Sequence, residues 1–372
     1  MFHTSFILET VKEVRYNIVY MKTEVIQVDQ LHINQEAIAK AGRILRAGGL
    51  VAFPTETVYG LGANALNEEA AAKIYAAKGR PSDNPLIVHI ASAESLPVIA
   101  GQIDERARRL SEKFWPGPLT MIFQKTDAVP MGTTGGLGTV AVRMPANNIA
   151  LGVIRAGGGF VAAPSANTSG RPSPTLASHV YEDLAGKVPL ILDGGPVKIG
   201  LESTIVDLSV PVATVLRPGA ISLSMLRETI GEVQMDAGLG NESGEVRPKA
   251  PGMKYRHYAP RAELMIVSGN QRAVTREIQR LCTEAHEQGK RVGVIAAEES
   301  RGDYDADCVR AVGCRADDAA VAAHLYDVLR GFDHEQVDVI YSESFADGQF
   351  GQAIMNRLLK AAGHRVIGTE EG

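Results

Sequence analysis

Four stretches of this 372-residue chain gather hydroxyls, cations and glycines at spacings suited to holding phosphates and a carboxylate. The first, FPTETVYG at residues 53–60, drives an apolar run straight into Thr55, Glu56 and Thr57. A strand end with a helix cap would read the same way. The second sets Lys78 and Arg80 either side of Gly79, with Asn84 following and an apolar run ending at His89. A lysine point charge beside an arginine fork can cradle a polyanion, whereas the plainer reading is two cations answering a helix dipole. Pro81 and Pro85 reduce the entropy lost on ordering that loop, which favours a binding role. On its residues alone, His89 reads as a satisfied core histidine.

The third stretch, FVAAPSANTSGRPS at 160–173, follows a strand with Ser165, Asn167 and Ser173 among small neighbours. Donors of this kind approach a phosphate or acyl group closely, although an ordinary polar loop looks similar. The fourth couples Asp193-Gly194-Gly195 and Glu202-Ser203-Thr204 to Leu216-Arg217-Pro218-Gly219. Arg143 and Arg217 each end an apolar strand, a costly place for a charge unless an anion meets it. No GxxxxGK[ST] loop and no CxxC or HxxxH metal set occurs, and the first cysteine is Cys282. Positioning of phosphates and a carboxylate therefore fits better than covalent thiol or zinc chemistry.

Such groups need a scaffold, and the hydrophobic periodicity supplies one. Asn34 caps a helix with Ile38, Ala41, Ile44 and Leu45 on one face and Gly48-Gly49 behind it. Strand 50–53, helix 68–78, strand 86–90, helix 104–114, strands 119–124 and 139–144, helix 148–156 and strand 160–163 follow. After helix 176–184 come strands 190–192, 204–208 and 214–216 and a helix from Leu223. This alternation predicts an α/β sheet with packed helices and ligands at the strand ends. Residues 231–261 lose the pattern and read as a linker, with Tyr255, His257 and Tyr258 near its end. Beyond it, strands 264–267, 292–296 and 337–341 alternate with helices 274–287, 319–329 and 351–362, a smaller doubly wound unit.

The net charge of −5 is uneven: 26 Lys+Arg face 24 Asp+Glu up to Arg261, and 12 face 19 after it. A near-neutral first part excludes a large nucleic-acid footprint, so any RNA contact is weak. No apolar run reaches the eighteen or so residues of a membrane span. Three cysteines without pairing pattern suit a reducing cytoplasm. MKTEVIQVD opens a cleaner segment at Met21, the expected natural start, with residues 1–20 as an upstream extension or, alternatively, an ordered helix.

Taken in order, the four stretches resemble the threonylcarbamoyl-AMP synthase family in its long two-domain form. The Lys78-Gly79-Arg80 and Ser165-Ala166-Asn167 triplets carry the resemblance, with FWPGPLT, ESTIVDL, LRPGA and PGMKYRHYAP around them. It implies a YrdC-like twisted mixed sheet over 31–230, preceded by a lead-in over 1–30. A linker and lid over 231–261 and a Rossmann-like accessory domain over 262–372 would follow. It also implies that L-threonine, bicarbonate and ATP, with Mg²⁺ held mainly through the phosphates and no protein-held metal, give threonylcarbamoyladenylate and pyrophosphate. That product would pass to threonylcarbamoyl-transfer proteins acting on adenosine 37 of tRNAs that read A-starting codons.

Carried over residue by residue, Thr57, His89, Arg143, Ser203 and the Ala163 backbone would hold L-threonine. Lys78, Arg80 and Asn84 would meet the phosphates as the catalytic cations and their neighbour. Thr139, Ser165, Asn167, Ser173 and Arg217 would complete the nucleotide pocket, and Tyr258 would close over it, a role Tyr255 and His257 are near enough to share. An RNA-binding module of the same fold and a carbamoyl-adenylate domain of hydrogenase-maturation type are the competing readings; the second needs a carbamoyl-phosphate site and zinc-finger partners. Truncation after Pro260 is expected to leave measurable synthesis at an altered rate.

Overall fold

The computed structural model describes residues 21–239 and 257–369. The expectations for residues 1–20, for Tyr255 and for most of the linker lie outside the described residues. The first unit runs β1 (Glu24–Gln27), α1 (Gln35–Arg46), β2 (Val51–Phe53), β3 (Gly60–Asn64), α2 (Glu68–Lys78) and β4 (Ile87–Ile90). It continues through α3 (Leu96–Ile99), α4 (Glu105–Phe114), β5 (Leu119–Gln124), β6 (Thr139–Arg143), α5 (Asn148–Ala156) and β7 (Phe160–Ala162). Then come α6 (Ala177–Leu184), β8 (Leu190–Asp193), β9 (Thr204–Asp207), β10 (Ala213–Arg217), α7 (Leu223–Ile230) and β11 (Val233–Met235).

These strands form one mixed sheet of eleven, ordered β1-β8-β2-β3-β7-β4-β6-β5-β9-β10-β11. Alternation divides its faces: Leu50 and Ala52 join the core beneath α2, α4 and α6, while Val51 and Phe53 face α1 and α5. Sequence signals account for the helix ends. Asn34 accepts from Glu36 N and Ala37 N to start α1, and Asp104 accepts from Ala107 N to start α4. Gly79 ends α2 in the left-handed region at φ 60°. An added Cβ there meets nothing within 4 Å, so the backbone angle and not space asks for glycine.

The edge strands depart from the expected pattern. β1 pairs in parallel with β8 and β11 with β10, so the sheet reaches beyond 31–230 at both ends. Residues 233–235, expected as linker, form that last strand because Val233 buries against the core. Three residues carry too little alternation to be read.

The second unit comprises β12 (Glu263–Ser268), α8 (Gln271–Glu287), β13 (Val292–Ala296), β14 (Cys308–Ala311), α9 (Asp318–Glu335), β15 (Val339–Glu343), α10 (Gly351–Ala361) and β16 (Val366–Gly368). Its all-parallel sheet is ordered β14-β13-β15-β12-β16, with α8 packed on one face and α9 and α10 on the other. The α9 side docks on the first unit: Val58 and Leu201 share a core with Leu325, Tyr326 and Leu329. At Gly200 (φ 79°) a Cβ would lie 2.5 Å from the Cα of Ala323, so glycine sets both the turn and the approach of α9. Among the described residues no helix is long and apolar enough to cross a membrane.

Candidate active site

A cleft opens where several strands of the large sheet end. Its floor comes from β4 and β6, whose parallel register sets His89 beside Arg143. Both are buried. The Arg143 Nε donates to Gly117 O at 3.3 Å, and Nη1 donates to Thr57 Oγ1 at 2.9 Å. Glu56 Oε1 lies 2.7 Å from Nη2, but off the hydrogen-bonding line, so Nη2 keeps an unused donor. The glycine in FWPGPLT thus has a structural reason: its carbonyl steadies Arg143, while a Cβ would stand 2.3 Å from Phe114 O.

His89 Nδ1 lies 3.2 Å from Ile87 O, a carbonyl that favours the ring proton on this nitrogen. Burial, with Arg143 adding to it, pushes the imidazole pKa down to about 3, so the ring is neutral.

The other wall is cationic. Lys78 Nζ donates to Asn167 O at 2.6 Å, to Ser165 O, and at 3.4 Å to Asn167 Oδ1. Burial foremost, then Arg80, pushes its pKa down, while the carbonyl oxygens around Nζ favour the charged form. Arg80 Nη2 donates to Pro85 O at 3.1 Å and to Asn84 O at 3.4 Å. Its buried Nε finds no partner, and burial lowers the guanidinium pKa to about 10. A cation with a buried, unmet donor, lining an open cleft, is poised for an anion. Arg217 Nε donates to Ser203 O at 3.0 Å and Nη2 to Ser203 Oγ at 3.2 Å, and Thr120 Oγ1 lies 2.7 Å from the same hydroxyl.

Within this lining stands one carboxylate, Glu202. Ser173 Oγ donates to its Oε1 at 2.5 Å, Tyr326 OH lies 3.1 and 2.9 Å from the two oxygens, and Arg357 Nε donates to Oε2 at 2.9 Å. Burial raises the Glu202 pKa, but Arg357 and Arg217 outweigh it and hold the carboxyl at about 2. Tyr258 also lines the cleft, its ring 5.2 Å from that of Tyr326 and 6.0 Å from the Arg357 guanidinium. Just after it, Ala259 N donates to Gly170 O at 3.0 Å, pinning the end of the linker to the 165–173 loop.

Residues 43–219 match the family model described as telomere recombination, and residues 221–363 match the one described as threonylcarbamoyl-AMP synthase, C-terminal domain. The threonylcarbamoyl-AMP synthase of Bacillus subtilis is 51% identical over 340 residues, covering 91% of this chain and 96% of that protein. The chain belongs to the threonylcarbamoyl-AMP synthase family. A crystal structure of the Pyrococcus abyssi relative complexed with L-threonine superposes with a TM-score of 0.88 at 48% identity, covering 93% of this chain and 100% of that one. A shorter threonylcarbamoyl-AMP synthase, from Cellvibrio japonicus, is 32% identical over 154 residues, 41% of this chain and 82% of its own length. The family thus includes members matched over less than half of this chain.

Against the family expectation, the structure brings most of the anticipated residues together. Thr57, Lys78, Arg80, His89, Arg143, Ala163, Ser165, Asn167, Ser173, Arg217 and Tyr258 line one cleft, and Ser203 sits directly behind Arg217. Besides Ser203, two others lie outside that lining. Thr139 opens β6 opposite Gln124, four residues from Arg143 at the far end of the strand. Asn84 is buried outside the lining, and its carbonyl supports Arg80. The histidine that residues alone placed in the core does line the cleft.

Sequence reasoning does not find Tyr326, Arg330 and Arg357, and it reaches Glu202 and Glu56 only as parts of their motifs. A signal for Arg330 and Arg357 exists, since each interrupts a buried helix face, but their partners lie more than a hundred residues away.

Proposed function

We propose that the cleft holds L-threonine and ATP side by side and joins them through a carbamate, releasing pyrophosphate. The observation that carries this reading is the convergence of four cations on one cleft: buried Lys78, Arg143 and Arg217, and half-buried Arg80. Of the carboxylates beside them, Glu202 in the lining is already engaged by Ser173, Tyr326 and Arg357, and Glu56, outside the lining, lies 2.7 Å from Arg143.

The Arg143 end suits the amino acid. Nη2 offers its unused donor to the threonine carboxylate, while Thr57 and the neutral His89 supply a hydroxyl and an imidazole for the substrate's polar groups. Arg80, Lys78 and Arg217 take the phosphates, with Ser165, Asn167 and Ser173 around them. Tyr258 covers the nucleotide. Bicarbonate carboxylates the threonine amine with loss of water. A carbamate oxygen then attacks the α-phosphorus in line as the bond to the β-phosphate breaks and pyrophosphate leaves.

Among the described residues no three His, Cys, Asp or Glu gather as a metal site, and Glu202 is coordinated by protein donors. A divalent ion such as Mg²⁺ would come with the ATP phosphates and would supply charge neutralisation for the leaving pyrophosphate. The catalytic unit spans the sheet from β1 to β11, and the described end of the linker serves as its lid. The product serves threonylcarbamoylation of adenosine 37 in tRNAs reading A-starting codons, the family's role.

Pyrophosphate release from ATP, bicarbonate and Mg²⁺, with and without L-threonine, tests the reading. Release requires threonine, and Lys78→Ala and Arg143→Ala each cost on the order of a hundredfold or more in kcat/KM. Threonine-independent release, or full activity in both variants, would overturn it.

A further inference from the structure

The C-terminal unit reaches into the wall of the catalytic cleft. Arg357, fully buried on α10, donates through Nε to the Glu202 carboxylate, through Nη1 to Pro218 O at 2.8 Å and through Nη2 to Glu202 O at 3.3 Å. One planar fork thereby bridges the two segments that carry Ser203 and Arg217. Those segments are in close contact, since a Cβ on Gly219 would lie 2.5 Å from Thr204 N. Tyr326, fully buried on α9, covers both oxygens of the same carboxylate. A carboxylate has about four acceptor positions, and Ser173, Tyr326 and Arg357 occupy both of its oxygens.

We propose that Tyr326 and Arg357 are positioning residues for the nucleotide end of the cleft: they hold the Glu202 carboxylate against the C-terminal unit, so that it does not compete with phosphate for the cations beside it. This deepens the ATP-site reading and rests on it. Glu202 faces its cationic neighbours in the cleft on one side and Tyr326 and Arg357 on the other. Removal of the second set frees a buried anion to turn toward the first, where it acts as an internal competitor of the substrate. The effect therefore falls first on ATP, because the freed carboxylate turns toward the phosphate end and away from the Arg143 end, where threonine is held.

The test uses the full chain with Tyr326→Phe, Arg357→Met and Arg357→Lys, each alone and with Glu202→Gln. KM for ATP, KM for L-threonine and kcat are read from pyrophosphate release, and thermal unfolding is followed in parallel. Tyr326→Phe and Arg357→Met are expected to raise the ATP KM by about tenfold. The threonine KM should rise clearly less than the ATP KM, because Tyr326 touches Glu202 and makes no contact with the Arg143 end. Arg357→Lys should recover part of the loss. In the Glu202→Gln background, where the side chain is neutral, Tyr326→Phe should raise the ATP KM clearly less than it does in the wild type, the remainder coming from its contact with Tyr258.

Equal rises in both KM values, or full additivity with Glu202→Gln, would overturn the inference and leave a purely structural brace. If Arg357→Met fails to fold, Tyr326→Phe, which removes one hydroxyl, still decides. Wild-type protein without threonine-dependent release would instead refute the ATP-site reading itself.

Discussion

Arg330 offers the sharpest measure of how firmly the two units are joined. Its guanidinium is 1% exposed and crosses from α9 into the first unit. Nη2 and Nε donate to Pro172 O at 2.7 and 3.1 Å, and Nη2 and Nη1 donate to the two Asp183 oxygens at 2.8 and 3.3 Å. Arg330→Met keeps much of the volume and removes every donor. Breaking one side of a buried ion pair costs about 3–5 kcal/mol.

Asp183 retains Arg171 and the Thr168 amide, so the lower end, about 3 kcal/mol, is the reasoned value. For the 372-residue chain unfolding as one unit, at about 2.1 cal/mol/K per residue, that is a fall in Tm of roughly 4 °C. Differential scanning calorimetry of the full chain measures it. Arg280→Met, at a half-exposed pair with Glu277 and Glu284, serves as control and should change stability by less than about 1 kcal/mol. An Arg330→Met protein that melts with the wild type would show that the contact contributes nothing net, and the brace would have to rest on apolar packing alone.

Three further outcomes follow from the site. The His89 pKa is about 3 when folded against 6.5 in the reference state, so between those values only the unfolded chain binds this proton. Stability should therefore fall as pH drops from 6.5 toward 3, by at most about 1.4 kcal/mol per unit. His89→Asn should flatten urea-derived stability between pH 7 and 5, and identical slopes in the two proteins would contradict the buried neutral ring. Glu202 acts in a separate window: its pKa of about 2 against 4.5 gives stability that is present above pH 4.5 and lost between 4.5 and 2. Gly117→Ala, whose Cβ would strike Phe114 O, should shift the carbonyl that holds Arg143 and raise the threonine KM more than the ATP KM. A larger rise for ATP would disconnect that loop from the amino-acid end.

Where local chemistry marks the boundaries, the sequence is readable. Helix 68–78 has an Asn67 cap and a glycine stop, and strand 119–124 is apolar almost throughout. β3 is invisible because GLGAN contains two glycines and no β-branched residue, and β14 and β16 are short and lack a fully buried face. α9 continues to Glu335, past the expected end at Leu329. Gly331, just beyond that expected end, admits the Arg310 side chain against the helix.

The cleft is legible because its polar groups cluster just beyond apolar strands. Its back wall is not, since Tyr326 meets Glu202 across 124 residues and Arg357 across 155. Neither side of those contacts announces a partner: an arginine on a buried helix face and a glutamate in a loop each have ordinary local readings.

The crossing of Tyr326, Arg330 and Arg357 into the first unit bears on how a smaller catalyst could be made from this chain. In a one-domain protein, water would hydrate carboxylates at the places of Asp183 and Glu202. Here Arg330 and Arg357 stand where that water would be, and Val58 and Leu201 pack against the second unit. A cut after Pro260 would leave two carboxylates set for vanished partners beside a newly wetted patch, which sharpens the expectation of altered synthesis into one of weakened nucleotide retention. A working minimal version therefore needs its seam resurfaced first, at positions 58, 183, 201 and 202. The shorter members of the family are natural templates for that resurfacing.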